Sequence, residues 1–232
     1  MTMYMQKIIK ELRIKNKLSQ EQIATSIGVS RPTYSAIEAG TQKLDAEEVQ
    51  KLANLYAVSV DDLLAGHIPD IAKYKQMILS YLRMKLSPDG KIPKTKLAKL
   101  LYLADFAWFY DHTQSMSGMQ YRKIEHGPVP DAFFRAIEEL EEDGKIEVER
   151  KTDDKERTMF LISESESNHN EKITTINPAE LKLMKQIATK WKDKKTKDIV
   201  NFTHNQLPYV LCRMEELIPY SLITQEDPGT VF

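Results

Sequence analysis

The chain has 232 residues, 41% of them apolar and 29% charged, which suffices for real cores and is ordinary for a soluble protein. Its 33 basic and 34 acidic side chains leave a net charge of −1, so nucleic-acid binding has to come from a local patch and not from a bulk field. A single cysteine, Cys212, excludes a disulfide framework or a multi-cysteine zinc site, and no apolar run approaches the roughly 20 residues that span a bilayer. Residues 1–10 mix charge with apolar side chains and lack the uninterrupted apolar core of a cleavable signal. A cytoplasmic protein with no membrane partner is expected.

The first 67 residues read as five short helices. Ile8, Ile9 and Leu12 share one face of the opening helix, and Lys7, Lys10, Arg13, Lys15 and Lys17 cover much of the rest. Ser19 stands three residues before Gln22, a capping-box pattern, and Gly28 closes the helix carrying Ile23, Ala24 and Ile27. Ser30 caps a third helix with Pro32 in its first turn, and Tyr34 and Ile37 point to the core. Asp45 caps a fourth helix, and Ser59 a fifth that turns Val60, Leu63 and Leu64 inward. Gly66-His67-Ile68-Pro69-Asp70 breaks the pattern and separates a domain of residues 1–67 from one of residues 75–232.

The second domain begins with a helix from Ala72 to about Met84 and a turn at Ser87-Pro88-Asp89-Gly90. A long helix follows from Lys94 to Tyr110, apolar at Leu97, Leu100, Leu101, Ala104 and Trp108. An extended piece near Tyr121, the punctuated His126-Gly127-Pro128-Val129-Pro130 and a helix from Asp131 to Asp143 come next. Ile146-Glu147-Val148 alternates as a strand, with Met159–Ile162 as its return partner and Asp153-Asp154-Lys155-Glu156 at the hairpin tip. Ser163 to Thr175 reads as a poorly ordered surface loop, and Pro178 to about Thr203 as helix. The fold class is mainly α: a five-helix bundle, then a mostly helical domain with one small β-hairpin.

Chemistry-bearing clusters are scarce. His204 and Cys212 stand eight residues apart without an assignable third group, and His112, His126, His169 and His204 lack metal-ligand spacing. Gly90, Gly118 and Gly127 stand alone and form no phosphate loop. No catalytic residue, metal site or cofactor is expected, and an enzyme is disfavoured.

Two resemblances carry more. The stretch Leu18-Ser19-Gln20-Glu21-Gln22-Ile23-Ala24, then Gly28-Val29-Ser30-Arg31-Pro32-Thr33-Tyr34-Ser35-Ala36-Ile37-Glu38-Ala39-Gly40, resembles the Xre/Cro-repressor helix-turn-helix family over about residues 5–65. The resemblance implies that the third helix enters the major groove of operator DNA. It places Arg31 and Ser35 at base edges, and Gln20, Ser30, Thr33, Thr41, Gln42 and Lys43 at bases or phosphates. Arginine suits the first task because its fork matches guanine O6 and N7. Glu38 looks like a catalytic carboxylate in isolation, but in that family its equivalent pairs with an arginine of the first helix, here Arg13. The domain balances eight basic against eight acidic residues over positions 1–67, so the opening helix's lysines read as a solvated face before a phosphate grip.

The second resemblance rests on Lys99-Leu100-Leu101-Tyr102-Leu103-Ala104-Asp105, Gly118-Met119-Gln120-Tyr121, Gly127-Pro128-Val129-Pro130, His204-Asn205-Gln206-Leu207-Pro208-Tyr209 and Ile218-Pro219-Tyr220. In that order they are similar to the Panacea domain, found in antitoxins, phage-associated proteins and a protease-adaptor antitoxin. Tyr209 stands where many members have tryptophan, and residues 163–175 have no counterpart. The resemblance implies a homodimeric antitoxin that represses its own promoter and neutralises a nearby-encoded toxin by binding it. A groove holding Tyr102, Asp105, Tyr121 and His126 is the candidate toxin contact, although Tyr102 and Tyr121 equally suit a core and Asp105 a cap or a bond to a backbone group. The alternatives are a phage-related or ligand-responsive transcription regulator, or an adaptor delivering a toxin to a protease.

Overall fold

The computed structural model describes residues 3–56, 60–65, 68–152 and 158–232, and only the backbone of 3, 4, 7, 61, 62 and 65. The expected cap at Ser59, the boundary residues Gly66 and His67, and the hairpin tip at 153–156 lie outside the described residues. The chain divides into two units, Met1–Pro69 and Asp70–Phe232.

The first unit contains helices α1 (Met3–Lys15), α2 (Gln20–Ile27), α3 (Arg31–Glu38), α4 (Ala46–Tyr56) and α5 (Val60–Ala65). Local chemistry sets their ends. Ser19 Oγ accepts from the Gln22 N–H while Gln22 Oε1 accepts from the Ser19 N–H, a reciprocal cap repeated at Asp45 and Glu48. Gly28 ends α2 at φ 85°, a left-handed geometry that an added Cβ strains. Ile9, Leu12, Ile23, Ile27, Tyr34, Ile37, Leu52 and Leu63 form the core. Leu64, expected inward, is instead 49% exposed, because a six-residue helix turns only its Leu63 face to that core.

The second unit is built around one enclosed helix. After α6 (Ile71–Arg83) and the two-residue strand β1 (Ile92–Pro93) comes α7 (Lys94–His112), buried at every residue from Lys96 to Ala107. A helix apolar all round belongs inside, and α7 has no solvent stripe over that stretch. Short strands β2 (Tyr121–Arg122) and β3 (Val129–Pro130) pair antiparallel, Tyr121 opposite Pro130. Then follow α8 (Ala132–Glu142), β4 (Ile146–Thr152) and β5 (Thr158–Glu164), with Val148 opposite Ile162. The expected hairpin is the larger part of a three-stranded sheet, since β1 adds to β5 with Ile92 opposite Ile162.

Two segments differ from their sequence reading. Residues 163–175 are pinned by distant side chains: Arg83 grips Glu164 through both oxygens, Asn168 donates to Glu164 Oε1 at 2.6 Å, and Gln76 Oε1 accepts from the N–H groups of Thr174 and Thr175. The helix expected from Pro178 to Thr203 is broken into α9 (Pro178–Trp191) and α10 (Thr196–Asn205), followed by α11 (Leu207–Leu211). Lys96 Nζ donates to the carbonyls of Lys192 and Lys194 and so satisfies the end of α9.

Candidate DNA interface and the second-unit core

Tyr34 and Ile37, both fully buried, fix the rotation of α3. Each contributes roughly 1.5–3 kcal/mol by burial, far more than any polar residue gains by taking its place. The opposite face therefore looks outward, with Arg31 and Ser35 one turn apart and exposed beside Pro32. Thr41, Gln42 and Lys43 are exposed just past the helix. The backbone N–H groups of Thr41 and Gln42 and the Thr41 hydroxyl all bond to the Ala36 carbonyl, which holds this turn against the helix end. Ser30 Oγ accepts from the Thr33 N–H at 3.2 Å and shares a 2.8 Å hydroxyl bond with Thr33, so both hydroxyls serve the cap. That leaves Arg31, Ser35, Gln42 and Lys43 as the outward polar groups.

Glu38 ties three elements together. Arg13 donates from Nε at 2.6 Å and from Nη2 at 3.2 Å to its two oxygens, and Gln20 Nε2 donates at 2.9 Å. Arg13 Nη1 also reaches the Leu18 carbonyl at 3.1 Å, joining α1 to the turn before α2. Burial alone pushes the Glu38 carboxyl up, but the hydrogen bonds from Arg13 and Gln20 outweigh it and hold the group below the usual carboxylate range. Gln20, expected at bases or phosphates, spends its amide N–H inside the unit, because a nearly buried carboxylate requires every donor within reach.

In the second unit Tyr102, Asp105 and Tyr121 do come together, but in the interior, each 0% exposed. Asp105 Oδ1 accepts from the Ser117 N–H at 2.7 Å; Oδ2 accepts from Ser117 Oγ at 2.5 Å and Tyr121 Oη at 2.9 Å. Tyr102 packs edge-on to Tyr121 at 5.4 Å, and Phe106 stacks on Tyr220 at 4.4 Å. Burial outweighs the three hydrogen bonds and pushes the Asp105 carboxyl up to about 6. The expected groove is thus a core cluster: enclosure of α7 on all sides removes these three residues from any partner's reach. His126 alone of the four is exposed. Among the described residues no group of three His, Cys, Asp or Glu side chains is placed to hold a metal, and no helix is long and apolar enough to cross a membrane.

Comparison with known proteins matches residues 9–63 to a helix-turn-helix family and residues 97–208 to the antitoxin SocA-like Panacea domain. The cryptic phage CTXphi transcriptional repressor RstR of Vibrio cholerae is 43% identical over 81 residues, 35% of this chain and 70% of the repressor. The chain belongs to the helix-turn-helix transcriptional regulators. A second relative, the uncharacterized regulator YobD of Bacillus subtilis, is 32% identical over 106 residues, 46% of this chain and 78% of YobD. No solved structure matches the chain.

In this regulator the match to the Panacea domain spans Lys99, Gly127 and His204, a set that motif reading did not single out as a site. Lys99 is 1% exposed and donates to the Pro128 carbonyl at 2.8 Å. A lysine flanked by Leu97, Ala98, Leu100 and Leu101 was the available signal, since such residues are almost never fully buried without a reason.

Proposed function

We propose that the chain is an antitoxin that represses its own promoter as a dimer through the first unit and neutralises a partner toxin by binding it, without catalysis, through the second. The observation carrying this reading is the joining, on one chain, of a helix-turn-helix unit with an outward Arg31 and a domain matching the antitoxin SocA-like model.

The surface offered to a toxin is the exposed apolar group Val210, Leu211, Met214 and Leu217, of which Leu211 is 57% and Met214 53% exposed. These four lie within eight residues of one another, and exposed apolar side chains on a backbone held in place are candidates for a partner's contact. Here it is held: Lys123 Nζ donates to the Tyr209 and Cys212 carbonyls, and backbone bonds join Lys123 to Glu215 and Glu216, and Ile218 to Tyr121. The surface lies just beyond the Panacea match, which ends at residue 208.

Three variants separate the roles. Arg31→Ala is expected to lose about 1–3 kcal/mol on promoter DNA and to relax sequence preference at one base pair, while Lys43→Ala weakens all sequences alike and lowers the salt slope by about one. A gel-shift series reads both, and an unchanged footprint with Arg31→Ala removes α3 from the groove. The double variant Leu211→Asp with Met214→Asp is expected to retain DNA binding but to stop restoring growth when expressed beside the toxin encoded next to its gene. Full rescue by that variant moves the toxin contact to another face. If no neighbouring protein co-purifies, a phage-related regulator is the better reading, which the phage origin of the RstR relative favours.

A further inference from the structure

Three stretches far apart in sequence converge at Gly127. Lys99 comes from the second turn of α7, Gly127 and Pro128 from the link between β2 and β3, and His204 from the last turn of α10. Gly127 adopts φ +93°, and a Cβ there meets Lys99 Cε at 2.7 Å and both Lys99 Nζ and His204 Nε2 at 2.9 Å. Only glycine fits, and the two nitrogens flank the same point on its surface. His204 Nε2 is buried and finds no hydrogen-bond partner among the described residues. Its ring is locked in place, stacked on Tyr209 at 4.3 Å and 6°, while Tyr209 Oη donates to the Ile124 carbonyl.

The groups whose charge acts on His204 are all basic. Lys99 and His204 are joined by Lys123, whose Nζ sits 4.4 Å over the Tyr209 ring, and by His126. Burial, and then the nearness of Lys99, Lys123 and His126, holds the His204 imidazole below its usual range. Glu125 faces Tyr209 from the exposed rim, and among the described residues no carboxylate bonds to Lys99, whose one hydrogen-bond acceptor there is the Pro128 carbonyl. Among the described residues a buried ammonium with one acceptor thus lies beside an imidazole nitrogen with no partner, which leaves buried polar groups unsatisfied.

We propose that this junction binds an anionic oxygen group, a carboxylate or a phosphate, which bridges Lys99 Nζ and His204 Nε2 beside Gly127. His204 serves as the neutral donor, carrying its proton on Nε2. Entry is from the His126 side, the exposed neighbour of Gly127. The site supplies a physical reason for the three motifs to occur together: one gives the ammonium, one the side-chain-free turn, one the stacked imidazole. It stands independently of the toxin reading.

The test titrates sodium acetate, standing for a protein carboxylate, and inorganic phosphate, standing for a phosphoryl group, into the full chain at low ionic strength near pH 7.5. The Gly127 amide and His204 ring signals are followed by NMR, and proton uptake by calorimetry in buffers of different ionisation enthalpy. One of the two anions is expected to give saturable shifts confined to this junction with uptake of protons, because a counter-charge favours the charged form of Lys99. The anion that saturates names the source. Lys99→Met, which keeps the shape and removes the charge, is expected to abolish the response, and His204→Ala to weaken it about tenfold, the loss of one charge-assisted bond. Non-saturating shifts with both anions, or equal responses from the parent chain and Lys99→Met, overturn the proposal.

Discussion

Replacing Asp105 by alanine is expected to destabilise the second unit by roughly 4 kcal/mol. The change strips acceptors from three donors in the interior, the Ser117 N–H, the Ser117 hydroxyl and the Tyr121 hydroxyl. Each orphaned donor costs about 1–3 kcal/mol, and relief of a buried negative charge offsets part of the sum. Both tryptophans, Trp108 and Trp191, belong to the second unit, so urea unfolding followed by their fluorescence reports on that unit alone. A midpoint within error of the parent chain contradicts the hub assigned to Asp105.

The same residue predicts a pH dependence. Its folded carboxyl titrates at about 6 against an ordinary value near 3.8, so the fold favours the neutral form. The sign follows: destabilisation from this group is absent below about pH 4, grows between pH 4 and 6, and is complete above. Asp105→Asn keeps the shape and one acceptor but cannot ionise. The parent chain's stability advantage over that variant is therefore expected to shrink as pH rises from 4 to 6. A constant difference over that range shows that Asp105 titrates normally.

What the sequence revealed depends on how local the cause is. The first unit is legible because its caps and turns are written within four residues of where they act, as at Ser19 with Gln22, Gly28, and Ser30 with Thr33. Leu64 departs from that pattern because six residues are too few for periodicity to select a face. In the second unit the deciding contacts span the chain. β1 has two residues, one of them proline, and exists only because β5 lies alongside it some 70 positions later. Residues 163–175 look like a free polar loop until Arg83 and Gln76 are seen to hold them. Tyr102, Asp105 and Tyr121 were legible as a group, with a groove and a core both open, and the structure takes the core. Their motif spacing is the same for a groove as for a core, and only enclosure of α7 by its neighbours decides between them.

Lys99 is the other residue whose replacement has a large expected effect, in the opposite direction. Its ammonium is buried with no bonded carboxylate among the described residues, and burial pushes its titration down to about 7 from the ordinary 10.5. A lowered folded value for a cationic group means that the fold disfavours the charged form. The resulting destabilisation is largest below pH 7, fades as pH rises from 7 to 10.5, and vanishes where lysine is neutral in both states. Against it stands the bond to the Pro128 carbonyl, worth about 1–3 kcal/mol. Lys99→Met fills the same volume with no charge, so in anion-free buffer at neutral pH it is expected to raise stability by on the order of 2 kcal/mol. That gain is expected to turn into a small loss near pH 10, where the missing hydrogen bond outweighs what is left of the burial penalty. Urea midpoints of the two proteins at pH 6.5, 8 and 10 measure the crossover. A variant less stable than the parent chain at every pH shows instead that the ammonium is stabilised in place, with its counter-charge supplied within the fold.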